Sequence, residues 1–180
     1  MILKETPLAG LWEIWPEYQR DERGFFTRTS DLTEFGAAGL PADWAFSAVS
    51  WNAKCGTLRG LHYQAEPFSE YKLVRCTRGQ AFDVAVDLRR GSPTYGRWHG
   101  LELTADSYIA LYLSPGLAHG FLTLTDDVEI FYQIKGDYRP EAARGARWDD
   151  PTFGIDWPGQ PVIISAKDAA WPILRSGSGC

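Results

Sequence analysis

The chain has 180 residues, enough for one domain with a substantial core and too few to require two. Its 44% hydrophobic and 23% charged residues are ordinary for a soluble globular protein. A formal net charge of −5 argues against a nucleic-acid partner, and the lack of a long apolar run argues against a membrane span.

In chain order, Asp21-Glu22-Arg23-Gly24-Phe25-Phe26 reads as a solvated turn leading into a strand. Arg23 there also suits a diphosphate, because its planar fork matches phosphate oxygens. A helix is expected over 30–38, with Ser30 or Asp31 as its cap and Gly39 as its stop. Strands are expected over 46–51, 58–63, 71–77, 80–87, 98–104, 108–113, 120–123 and 128–134. Turn signals separate them at Arg78-Gly79, Gly91-Ser92-Pro93, Ser114-Pro115-Gly116 and Asp126-Asp127. This spacing, roughly 8–12 residues, is that of a sandwich or small barrel. A second short helix is expected after Ser165, where Ser165-Ala166-Lys167-Asp168 resembles a capping box. No βαβ rhythm and no internal repeat appears. The pattern predicts an all-β protein, one antiparallel domain over residues 1–175 with short peripheral helices, followed by a flexible tail at 176–180.

Eight Trp, eight Tyr and nine Phe exceed what such a core needs, and the surplus is expected to line a pocket. Cys55, Cys76 and Cys180 are an odd count without CxxC spacing, so neither a disulfide framework nor a zinc site is expected, and Cys76 is expected to be buried. No charged-then-apolar segment opens the chain, which leads to an expectation of a cytoplasmic location.

The chemistry concentrates in Gly56-Thr57-Leu58-Arg59-Gly60-Leu61-His62-Tyr63-Gln64 and the following Lys72-Leu73-Val74-Arg75. His62 can accept and return a proton near neutrality, and Lys72 can stabilise a developing oxyanion. A strand histidine is more often merely half-buried and hydrogen-bonded, but this one is flanked by Arg59 and Lys72. Arg59 and His62 lie three apart and face opposite sides of a regular strand, unless a bulge at Gly60 brings them together. His119 follows a Pro115-Gly116 turn, where it serves either the local backbone or a site. Tyr132 shares a face with Ile130 and Ile134 and is core filler by default, yet a phenol aimed into a polar pocket can donate a proton.

The segments Gly56 to His62 and Pro115 to His119 resemble the two motifs of the cupin superfamily, whose fold is a double-stranded β-helix or jelly roll. Gln64 stands where metal-binding cupins carry a second histidine, which removes a strong ligand and points away from a metal. A trio of His62, Glu70 and His119 remains as an alternative ligand set. Across 11–174 the chain resembles the dTDP-4-dehydrorhamnose 3,5-epimerase family. The resemblance is carried by the blocks already quoted, together with Phe82 to Arg89, Gly91-Ser92-Pro93-Thr94-Tyr95-Gly96, Arg147-Trp148-Asp149-Asp150-Pro151 and Ser165 to Ala169.

That resemblance implies a cofactor-independent, metal-free isomerase acting on a nucleoside-diphosphate 4-keto-6-deoxy sugar. His62 matches the base that removes the proton at C5, and also that at C3 in double epimerases. Asp168 matches its orienting carboxylate, Lys72 the cation near the C4 oxygen and Tyr132 the acid on the opposite ring face. Arg59 and His119 match pocket residues, Arg23 and Lys167 match groups near the diphosphate, and Phe26 would stack in the nucleotide region. Homodimers, with N-terminal strands contributing to the partner's site, are implied as well. The chain departs from the family pattern at Arg28, Ser47, Val49 and Ala143, positions associated with binding, so a shifted nucleotide or sugar preference is expected. A mono-epimerase or ketoisomerase on another nucleotide sugar, a metal-dependent oxygenase and a non-catalytic sugar-binding cupin are the competing readings.

Overall fold

Apolar residues that recur every second position dictate strands with two distinct faces, and the chain folds accordingly into two facing sheets. The structure is a computed structural model describing residues 1–174, so the tail expected at 176–180 lies outside the described residues. The N-terminal part holds β1 (Ile2–Glu5), β2 (Leu11–Trp15), the hairpin β3 (Gln19–Asp21) and β4 (Gly24–Phe26), and helix α1 (Leu32–Ala37). Then come β5 (Phe46–Asn52), β6 (Thr57–Gln64), β7 (Tyr71–Arg78), β8 (Gln80–Asp87) and β9 (Trp98–Thr104). The remainder comprises β10 (Ala110–Leu113), β11 (Leu117–Thr123), β12 (Val128–Lys135), β13 (Ala143–Gly145), β14 (Ile163–Ile164) and helix α2 (Ala166–Ala169).

One sheet runs β1-β2-β10-β7-β12-β5, and the other runs β13-β6-β11-β8-β9 with β14 added in parallel beside β6. Between them lie Leu11, Val74, Ala85, Leu111, Phe121 and Ile130, all essentially inaccessible to water. Helix α1 covers the outer face of the first sheet through Phe35, which stacks on Tyr112 at 5.6 Å. The outer face of the second is covered by the segment bearing Ala146, Phe153 and Trp157. This is the jelly-roll architecture of the cupins, with two peripheral helices.

Both helices begin where side-chain chemistry places them. Asp31 accepts from the amides of Thr33 at 2.9 Å and Glu34 at 3.1 Å, and Ser165 accepts from Asp168 at 3.0 Å. The strand expected to begin at 108 begins at Ala110, because Tyr108 is left-handed at φ 53° and closes a 3₁₀ turn over Ala105–Ser107. The strand expected from 120 starts earlier, at Leu117, directly after the Gly116 turn. Strand β4 follows the turn read as leading into a strand at Asp21–Phe26, whereas β1 to β3 were not among the expected strands; β1 and β3 are short and largely exposed, so they carry little alternation.

The expected bulge is present. In the β6–β11 pairing His62 faces His119 while Arg59 faces Phe121, so β6 carries one residue more than its partner across this span. Gly60 makes the extra step at φ 133°, and a β-carbon there would come within 2.6 Å of Gly120 Cα. Arg59 and His62 therefore share the inner face despite their odd spacing.

Candidate active site

A cavity of about 520 Å³ opens between the sheets at one end of the sandwich. From the second sheet come His62 and His119, and from the first come Lys72, Tyr132 and Ile134. Lys167 and Trp171, from α2 and the chain just after it, close one side.

His62 Nε2 lies 2.7 Å from Asp168 Oδ1; the imidazole is 44% exposed to the cavity while the carboxylate is hidden at 5%. Asp168 Oδ2 accepts from the Gly60 amide at 3.3 Å, and Trp171 Nε1 donates to Oδ1 at 3.3 Å. Burial pushes the Asp168 carboxyl up, but the His62 ring, the Gly60 amide and the Trp171 indole outweigh it and hold the group below the usual carboxylate range. Asp168 thus stays charged, and its partner imidazole has a fixed orientation and a counter-ion.

Across the cavity, Lys72 Nζ pairs with Glu70 Oε1 at 3.0 Å and points at the His62 carbonyl at 3.4 Å. The Tyr132 ring stands edge-on to His119 at 5.9 Å, and burial, with the nearby Asp83 charge adding to it, pushes its phenol far above the ordinary range while Arg59 opposes. The phenol therefore keeps its proton across the neutral range. His119 Nε2 is held by both Asp83 oxygens at 2.8 and 2.9 Å in a buried pair.

Glu70 is committed to Lys72 and to Gln64, whose amide nitrogen lies 3.1 Å from Glu70 Oε2 and also donates to Phe68 O and Asp137 O. The alternative trio of His62, Glu70 and His119 does not converge: among the described residues no group of three His, Cys, Asp or Glu side chains could hold a metal ion. The structure thus assembles His62, Lys72, His119, Tyr132 and Lys167 around one cavity, with Asp168 behind His62. Arg59, on the same face of β6, is exposed and does not line the cavity; its Nε donates to Asn52 Oδ1 at 2.7 Å.

Other expected binding residues stand apart from this cavity. Arg23 and the 63%-exposed Phe26 line a separate groove on the β3–β4 hairpin, and Arg28 pairs with Asp31 at 2.8 Å beside a third hollow. Phe46 and Ala48 line the cavity, so Ser47 and Val49 lie on the other face of β5. Ala143 does line it, as do Tyr63, Tyr138, Arg144 and Trp171, which the sequence reading did not single out as site residues. Asp83 was not singled out; a buried carboxylate in the middle of the apolar strand β8 was the available signal. Cys76 is buried as expected, and burial raises its thiol to about 11.

A jelly roll whose cavity gathers a strand histidine backed by a carboxylate from α2 on one side, and a lysine and a protonated tyrosine from the other sheet, is the arrangement expected of a nucleotide-sugar epimerase. The model of the dTDP-4-dehydrorhamnose 3,5-epimerase family matches residues 5–176, and the chain belongs to that family. It is 42% identical to the dTDP-4-dehydrorhamnose 3,5-epimerase of Sinorhizobium fredii over 97% of this chain and 90% of that one. It is 40% identical to the dTDP-4-dehydrorhamnose 3-epimerase of Streptomyces niveus, covering 93% of this chain and 81% of the relative. The dTDP-4-dehydrorhamnose 3,5-epimerase of Bacillus anthracis, solved with TDP and pyrophosphate, superposes with a TM-score of 0.92 at 35% identity, covering 96% and 99% of the two chains. The protein is accordingly an isomerase, an epimerase of nucleotide-linked deoxysugars. Among the described residues, no helix is long and apolar enough to cross a membrane.

Proposed function

We propose that the protein inverts both C3 and C5 of a dTDP-linked 4-keto-6-deoxyhexose, with His62 as base and Tyr132 as acid. The C4 carbonyl acidifies the adjacent C–H bonds. His62 takes the proton, Asp168 stabilises the resulting imidazolium, and Lys72 sits where enolate charge would collect on oxygen. Tyr132 then returns a proton from the opposite ring face. The observation that carries this reading is the position of His62 and Tyr132 on opposing sheets of one cavity.

The dTDP preference draws support from the family match and from two of the four departures: Ser47 and Val49 lie on the face of β5 turned away from the cavity, whereas Ala143 faces it. Arg23, Phe26 and Arg28 act, in this reading, on the cavity of a second copy, which makes the working unit a homodimer. His119, Arg59 and Lys167 contribute to substrate binding.

The test is turnover of dTDP-, UDP-, GDP- and CDP-linked 4-keto sugars in deuterated water, with NMR assignment of the exchanged positions. Deuterium at both C3 and C5, fastest by more than about tenfold on the dTDP sugar, is the expected result. Exchange at C3 alone would make the protein a mono-epimerase. In His62→Ala, exchange at both carbons should fall by roughly 10²–10⁴-fold; near-native exchange would place the base elsewhere.

A further inference from the structure

We propose that Trp171 is a positioning residue for the His62–Asp168 couple, a role that rests on reading that couple as the proton-transfer pair. The Asp168 oxygen that faces His62 Nε2 at 2.7 Å also accepts from Trp171 Nε1 at 3.3 Å. With the Gly60 amide on the other oxygen at 3.3 Å, the carboxylate is gripped at both ends and cannot swing about its own axis. The indole is itself wedged. It packs on Gly145, the residue directly opposite His62 in the β13–β6 register, and a β-carbon at 145 would collide with the ring. Lys167 Nζ lies 5.5 Å over its face. Gly145 therefore makes room for an indole whose N–H sets the carboxylate, which in turn sets the imidazole.

Only tryptophan offers at this place a large flat ring with an N–H donor; phenylalanine keeps the ring without the donor. Losing one hydrogen bond to a charged acceptor that matters more in the transition state than in the ground state should cost about tenfold in kcat. KM should stay within about twofold, because the donor points at Asp168 and not into the substrate space.

The experiment measures kcat, KM and melting temperature for wild type, Trp171→Phe, Asp168→Asn and the double variant, on the dTDP-linked 4-keto sugar. Trp171→Phe is expected to lose about tenfold in kcat at near-native KM and to have no further effect in the Asp168→Asn background. A native kcat, a loss confined to KM, or an equal loss in the Asp168→Asn background would each overturn the proposal. Should Trp171→Phe fold poorly, Gly145→Ala displaces the same indole and is expected to lose about tenfold in kcat against wild type, with no further loss in the Asp168→Asn background. A fully active Asp168→Asn would instead overturn the couple itself, whereas an impaired Asp168→Asn beside a native Trp171→Phe would sink only the role of the indole.

Discussion

At the scale of single residues, the proposed division of labour between Tyr132 and His62 rests on their environments. Burial keeps the phenol protonated, whereas the imidazole is open to the cavity and backed by a charged carboxylate. Removing the phenol oxygen leaves the base intact. Tyr132→Phe is therefore expected to keep washing deuterium into the substrate on the original face while inverted product falls by about 10²-fold or more. Undiminished epimerised product would show that water or another group is the acid. His62 and Lys72 were legible in the sequence because an ionisable residue within an apolar strand is conspicuous. Asp83 and Trp171 were not, because each acquires its meaning from a partner on another element, His119 at 2.8 Å and Asp168 at 3.3 Å. Their chemistry exists only once the sheets have paired.

At the scale of elements, two sequence blocks turn out to be architecture. The Gly60 bulge places Arg59 and His62 on one face, and its glycine was the visible cue. Gly91-Ser92-Pro93-Thr94-Tyr95-Gly96 wraps the buried Asp87 carboxylate, which accepts from Arg89 Nε at 2.8 Å, Ser92 Oγ at 2.5 Å and Thr94 Oγ1 at 2.6 Å. Burial raises this carboxyl, but these donors prevail and bring it down to about 2. Because the folded value lies below the unfolded one of about 3.9, the group stabilises the fold above about pH 4, and that stability drains away as pH falls through about 2. Its size is roughly 2–3 kcal/mol. In acid denaturation monitored by circular dichroism, the stability gap between wild type and Asp87→Asn should be full at neutral pH and shrink towards pH 2. A gap that does not change with pH would mean that the charge of Asp87 contributes nothing. The main strands and both helix caps were readable from alternation and cap residues. Strands β1 and β3 were not, since their largely exposed residues leave no apolar period to read.

At the scale of the molecule, the β3–β4 hairpin presents Arg23 and Phe26 to solvent, away from the cavity of their own chain. Val49 and Trp51 on β5 are also exposed, at 55% and 54%. The proposed homodimer, carrying each hairpin to the other's cavity, would account for these features, and it makes a sharp prediction. His62→Ala subunits have intact hairpins and Phe26→Ala subunits have intact cavities, so mixed dimers should recover activity that neither variant shows alone. Sedimentation would report the dimer, and mixing after subunit exchange would report the sharing. A mixture no more active than the sum of its parts would mean that Phe26 serves no second chain.

In the proposed reaction the sugar ring lies between the two sheets, one sheet to each of its faces, so their separation would act as a ruler for stereochemistry. Val74, fully buried and registered against Tyr132, sets part of that spacing from within the core. On that reading, handedness of the product would be maintained by hydrophobic packing as much as by any polar group. A core that loosened between the sheets would leave proton removal running and blur which mirror arrangement the carbon keeps.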